Sequence, residues 1–155
     1  MAKNWITVKT GRVGPLARTV QYLLNARGYA ITVDGDVGSQ TTDAIKAFQT
    51  DNGLTVDGVV GNQTWPLLIV EVAQGDQGDA VSAAQDQLSF RDLPETRNLT
   101  VDGVFGPLTE SGVRAFQTYI KDNQAALVDE PVVVDGIVGV NTWYCFVLDL
   151  GPLPE

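Results

Sequence analysis

The sequence predicts an all-α protein built as two tandem three-helix orthogonal bundles joined by VDGxxGxxT turns, with little or no β-structure. Three observations predict it. A nine-residue pattern with five fixed positions occurs four times, as VDGDVGSQT at 33–41, VDGVVGNQT at 56–64, VDGVFGPLT at 101–109 and VDGIVGVNT at 134–142. The segments between the copies carry apolar residues at helical spacing. Glycine and proline punctuate the ends of those segments where helices start and stop.

The segments after successive copies alternate. Copies one and three run into Thr41-Thr-Asp-Ala-Ile-Lys-Ala-Phe-Gln49 and Thr109-Glu-Ser-Gly-Val-Arg-Ala-Phe-Gln117. Copies two and four run into Thr64-Trp65 and Thr142-Trp143 and then an apolar stretch. A third shared element leads each unit, Gly11-Arg-Val-Gly14 with Gln21 and Gly75-Asp-Gln-Gly78 with Gln85. The chain therefore reads as an N-terminal segment 1–10, a first unit 11–71, a second unit 72–150 and a C-terminal tail 151–155. The second unit is longer, with extra residues near Arg91–Leu99 and Gln124–Val133, and extra length in repeats maps to surface loops.

The first helix is expected from about Pro15 to Arg27, with Leu16, Val20, Leu23 and Leu24 on one face. Pro15 suits a first turn and Gly28 a stop. The nonapeptide is expected to be a turn that launches a helix. Its Asp accepts a backbone N–H two residues on, and Gly after Asp permits positive φ. Its Val packs inward, as does the apolar residue at Val37, Val60, Phe105 or Val138. The Thr, or Ser39 or Asn62 before it, caps the next helix. The second helix is expected from Thr41 to Asn52, with Ala44, Ile45 and Phe48 inward. The third is short, near Trp65 to Glu71, with Pro66 in its first turn. The second unit repeats this order, and valine runs such as Val132–Val134 are expected to form brief β-bridges.

Composition narrows the function. The chain has 155 residues, 44% hydrophobic and 19% charged, which describes a folded protein rather than a disordered one. Net charge is −9, and it is uneven: residues 1–70 hold six Lys/Arg against five Asp/Glu, residues 71–155 four against fourteen. Such a chain is a poor match to nucleic acid or to an anionic membrane surface. No run approaches the length of a membrane span. The N-terminus MAKNWITVKTG lacks the long apolar run of a signal peptide. The expectation is a protein not exported by the general route, or a mature or trimmed piece.

Catalysis fails on inventory. With no His, the Ser-His-Asp and Cys-His arrangements and His-based zinc sites are absent. The single Cys145 lies in the apolar run Trp143–Leu150 and reads as a small buried hydrophobe. Acidic residues are plentiful, but all four motif aspartates sit in turns where a structural bond accounts for them. From Asp34 the spacing breaks the EF-hand pattern at the fifth position. No catalytic residue, metal site or cofactor is therefore expected, and the sequons at Asn62 and Asn98 read as caps.

The order of glycine-flanked start, helix with Gln21, Gly28-Tyr29, Asp34-Gly35, Phe48-Gln49, Gly53-Leu54, Asp57-Gly58 and Thr64-Trp65 resembles the peptidoglycan-binding-like domain of bacterial and phage cell-wall hydrolases. The second unit matches through Gln85, Asp102-Gly103, Phe116-Gln117, Asp135-Gly136 and Thr142-Trp143, and lacks the GY and GL pairs. The resemblance covers about 90% of the chain. It implies a non-enzymatic wall-targeting module for peptidoglycan, through the glycan strand or the stem peptide. It also implies a cell-wall or extracellular location, with a wall hydrolase or assembly protein as a further partner. The alternative is a structural or protein-interaction component, for example of a phage particle, that keeps the fold without wall binding. Ligand contact needs aromatic faces and polar partners in a groove. The candidates are Gln21, Tyr22, Tyr29, Asp34, Gln49, Trp65, Gln85, Asp102, Gln117 and Trp143. Tyr22 is expected to be exposed, off the apolar face. Trp65 and Trp143 read as core or as platform. Gln49 and Gln117 read as holding a turn or as lining a groove.

Overall fold

The computed structural model describes residues 3–123, 128 and 130–148. Its helices are α1 (Pro15–Ala26), α2 (Ser39–Asp51), α3 (Trp65–Leu68), α4 (Asp79–Phe90), α5 (Pro107–Asn123) and α6 (Val140–Phe146). This is the expected order, three helices to a unit. No strand occurs among the described residues, only isolated antiparallel bridges.

The predicted apolar faces are the observed ones. Leu16, Val20, Leu23 and Leu24 of α1 and Ala44, Ile45 and Phe48 of α2 are buried, and so are Val37, Val60, Phe105 and Val138 of the four turns. The turns take the expected form: Asp34, Asp57, Asp102 and Asp135 each accept the N–H two residues on, at 2.9–3.0 Å.

Several expectations are corrected. The helix α3 is one turn long rather than two, because Ile69 turns extended (φ −62°, ψ 149°) to lead into Val72. The bridges form at Val8 with Val60, Val13 with Asp36, Val72 with Val138 and Gln77 with Val104, not at Val132–Val134. The leading Val of the motif does not pack inward: Val56 is 49% exposed and Val101 38%, and Val33 and Val134 are only half-buried. The motif Thr makes no side-chain cap bond: Thr64 stands at the N-cap position of α3, as expected, but without one, and at α2 and α6 the position itself goes to another residue. Gly38 and Gly139 occupy the N-cap positions of α2 and α6, with no side-chain cap bond. Thr41 and Thr142 lie inside the first turn and are buried. Asn62 also serves elsewhere, accepting the Trp5 N–H at 2.7 Å. The second insertion, 124–133, lies in part outside the described residues, as does the 151–155 tail.

The segment before the first unit is part of its packing. Val8 and Val60 exchange both backbone hydrogen bonds, and Val72 and Val138 repeat that pairing in the second unit. Trp65 donates its indole N–H to the Ile6 carbonyl at 2.7 Å, and Trp143 donates to Val70 at 2.8 Å. Trp5 stacks on Trp65 at 6.0 Å and meets Tyr144 edge-on at 5.1 Å, so it touches both units.

Between the units, α1 and α4 make the most extensive helix–helix contact of the described residues. Ala80, Ala83, Ala84 and Gln87 recur at i, i+3, i+4 and i+7 and are all buried, which lets the helices approach closely. Gln87 donates to Thr19 at 2.8 Å in the buried seam, and Arg18 pairs with Asp86 at 2.9 Å on its edge.

Candidate functional site

The polar residues that the repeats share converge on a single local device, built four times. Each of Gln21, Gln49, Gln85 and Gln117 projects from a helix into the nonapeptide turn after it. The Gln Nε2 reaches the Asp side chain, the carbonyl two residues after that Asp, and the Thr hydroxyl. The Gln Oε1 accepts the N–H groups of the Asp and of the Gly. In all four copies every one of these contacts falls between 2.9 and 3.1 Å. Two backbone donors on one side and three acceptors on the other fix which end of the amide is oxygen. No side chain but Gln offers both ends at this reach.

The device explains the spacing of the motif. Its Asp folds the turn, its Gly takes positive φ (75° at Gly35), and its Thr stands where the amide nitrogen arrives. At Asp34 and Asp102 it also favours the charged form of the carboxyl. The Gln21 amide and the Asp36 N–H hold the Asp34 carboxyl below its ordinary value. The Val104 N–H and then the Gln85 amide do the same for Asp102.

These bonds occupy the four glutamines. All are at most 1% exposed. They are the turn's internal supports: of the two readings of Gln49 and Gln117, holding a turn or lining a groove, the bonds formed are those of the turn, and Gln21 and Gln85 are engaged in the same way. Trp65 and Trp143 are both 0% exposed, and their one polar group is spent on the Ile6 and Val70 carbonyls. They offer no platform face, because both ring faces are packed in the core.

The tyrosines are intermediate. Tyr22 is half-buried rather than exposed, because α4 packs beside it. Burial, and then the negative charge of Asp86, push its hydroxyl up from the usual value. Tyr29 lies half-buried, edge-on to Phe48 at 5.7 Å, with its hydroxyl donating to Asp51. That bond raises its pKa.

The ten predicted residues therefore do not form one site. Gln21 meets Asp34, and Gln85 meets Asp102, each inside a turn. Of the ten, Gln85 and Asp102 line a surface groove beside the third turn, and Gln49 lines a smaller one beside the second. No aromatic side chain lines any of the grooves described among these residues.

The groove at the third turn involves residues that sequence reasoning missed. Leu99, Val104, Pro107 and Leu108 form its apolar part, with Asn98, Thr100 and Asp102 polar. It continues, through Asn98, Leu99 and Leu108, into a second hollow bounded by Pro94, Glu95 and Ser111. Its far wall is the Arg91–Leu99 insertion, which is firmly built. Arg91 is buried and donates to Gln87 at 2.7 Å and to the Phe146 carbonyl, with its guanidinium 5.5 Å from the Phe116 ring. Thr96 is fully buried against Leu93, and Ser89 donates to the Leu99 carbonyl at 3.1 Å. The signal was present in the aligned copies: Val104, Pro107 and Leu108 stand where the first unit has Asp36, Ser39 and Gln40.

Cys145 is 1% exposed, and burial pushes its thiol up to about 11. Among the described residues no group of three or more His, Cys, Asp or Glu is placed to hold a metal ion. No helix among them is long and apolar enough to cross a membrane.

The model of the putative peptidoglycan binding domain family matches residues 13–68 and 77–120. Among solved structures, a peptidoglycan-binding protein from Clostridioides difficile, in complex with glutamine hydroxamate, is 33% identical over 41% of this chain, with a TM-score of 0.40. That match spans 40% of the other chain's length. No curated protein matches the chain.

Proposed function

The chain belongs to the putative peptidoglycan binding domain family, and from that premise we propose that it works as a wall-targeting module with no catalytic step of its own. Peptidoglycan binding is its activity. The observation that carries the reading is the doubled family match, one segment in each unit, around turns built to one plan.

The groups that catalysis would call on are missing, buried or already engaged. The chain has no His. Its thiol is buried and protonated at neutral pH. The motif Gln and Thr are buried and engaged with one another in the turns. Ligand contact is left to groups in and beside the turns that keep exposed surface, among them the Asp34 and Asp102 carboxylates and Tyr22 and Tyr29. We place the first unit at about residues 4–68 and the second at 69–148, because Ile6–Val8 and Val70–Val72 play equivalent parts. Two weak sites on one chain gain avidity without new contacts. The expected location is the cell wall, and a wall hydrolase is a fitting companion.

The test is co-sedimentation of the full chain with purified, teichoic-acid-free sacculi across a salt series, beside an acidic control protein of similar size. Retention that survives salt supports the reading. No retention above the control sinks it. The weight then moves to an assembly or phage-particle component, which the exposed Val133, Ile137 and Val140 of the acidic second unit favour.

A further inference from the structure

The two units are not equivalent binders, and the difference lies in the groove at the third turn. We propose that this groove takes the stem peptide of peptidoglycan, seating an alanyl methyl group beside a side-chain ammonium, and that it does not take the glycan strand. This rests on the wall-binding reading above and assigns it to a place and a ligand chemistry.

Four observations converge. First, the groove is apolar where the first unit is polar. Leu108 is 75% exposed and Val104 47%, whereas Gln40 and Asp36 occupy those positions in the first unit. Isolated exposed apolar side chains are ordinary, but these two face a shared hollow, which marks a contact surface. Second, the hollow is preformed. The insertion that walls it is pinned by buried Arg91 and Thr96, so little ordering is left for a ligand to bring about. Third, its charge has one sign. Glu95 and Asp102 line it and no Lys or Arg does, with Asp102 held below the ordinary carboxylate value. A cationic group beside small apolar groups complements that lining. Fourth, no aromatic face is present. Sugar rings offer broad faces that aromatic side chains cover well. A peptide with methyl side chains and one ammonium needs small apolar hollows and a carboxylate, and those are what the groove supplies.

The experiment is a two-dimensional amide NMR titration of the full chain with three probes. They are a soluble stem peptide of N-acetylated Ala, γ-linked Glu, Lys and D-Ala residues, the same peptide acetylated on the Lys Nζ as well, and an N-acetylglucosamine oligosaccharide. The expected result is saturable shifts at Asn98–Thr100, Val104 and Leu108 with the stem peptide, weaker binding after acetylation, and no shifts there with the oligosaccharide. Leu108→Gln installs the first unit's residue on an exposed position, and its spectrum itself reports that the chain is folded. This variant should weaken peptide binding by about tenfold, the size of one leucine's contact. Leu67→Gln, at another exposed leucine, should bind as the parent does. Shifts with the oligosaccharide instead of the peptide, or undiminished peptide binding by Leu108→Gln, overturn the proposal. Retention on sacculi without peptide-induced shifts overturns this assignment and leaves wall binding standing. Loss of sacculus retention overturns wall binding itself.

Discussion

Gln21, Gln49, Gln85 and Gln117 carry the turns on which both units depend. Removing one leaves a buried Gly N–H and a buried Thr hydroxyl without their partner. Gln85→Ala is therefore expected to lower unfolding free energy by about 3 kcal/mol, from an orphaned donor, an orphaned acceptor and emptied volume. Urea denaturation followed by circular dichroism measures it. Gln85→Glu keeps the shape but turns the donor end into an acceptor facing Asp102, so it should be at least as damaging at neutral pH. Asp34 and Asp102 give the pH dependence its sign. Both carboxyls are depressed in the folded chain, from an ordinary value of 3.8. Their stabilising effect is full above that value and is lost as pH falls through the lower folded one. Melting temperature should thus drop on acidification below about pH 4, where a depressed carboxyl must take up its proton. Asp34→Asn, which keeps the acceptor and discards the charge, should flatten that drop. A folded chain whose melting temperature ignores this range contradicts the argument. Cys145 offers a simpler check. With its thiol buried and pushed up to about 11, it should stay silent to a thiol reagent at pH 8 in the native protein and react once denatured.

At the scale of the element, the turn rather than the helix is what repeats most faithfully. The helices differ between units, α5 running seventeen residues against thirteen in α2, yet the amide–carboxylate bond of the turn stays between 2.9 and 3.1 Å in all four copies. The glycine after each Asp is held at positive φ, where a Cβ is strained. The copies differ in what surrounds it. At Gly136 a Cβ would meet Glu110 Cγ at 2.9 Å and Arg114 Nε at 3.1 Å, while at Gly35 the nearest atom is 3.5 Å away. Gly35→Ala is expected to cost about 1–2 kcal/mol from conformation alone, and Gly136→Ala more, since the Glu110–Arg114 pair must shift. Parallel thermal melts of the two variants test that order. Much of this level was legible beforehand. The Asx-turn follows from Asp and Gly adjacency, and the helices from apolar spacing. The role of Thr was not legible. Thr before a helix reads as a cap, and only a Gln arriving from the preceding helix, fifteen to twenty-five residues away in sequence, shows otherwise.

At the scale of the whole molecule, α1 and α4 fuse the two units through alanines, a buried Gln87–Thr19 bond and the Arg18–Asp86 pair. Trp5 adds a second tie by touching Trp65 and Tyr144. Each unit alone has a small core, and small cores are marginal, so the joint packing should make unfolding a single event. Tryptophan fluorescence and circular dichroism are expected to report coincident transitions. Ala83→Leu overpacks the seam and should cost about 2 kcal/mol. If it separates the two transitions as well, the seam is what couples the units. If it changes nothing, the face assigned to Ala83 is wrong.

The sequence by itself determined the helical class, the two units, the turn at each nonapeptide and the family. All of these come from patterns written locally along the chain: period, punctuation and repetition. Only the tertiary structure decided which shared residues are supports and which remain surface. Burial depends on what packs from elsewhere, and no local pattern records it. Trp65 and Trp143 looked alike as core or platform until Ile6 and Val70 were seen to accept their N–H groups. The Gln49 and Gln117 side chains read as turn supports or as groove lining, and the closure of the turns around them decides for the first. The apolar groove of the second unit arises because an insertion folds back against the third turn, a contact between segments that the sequence keeps apart.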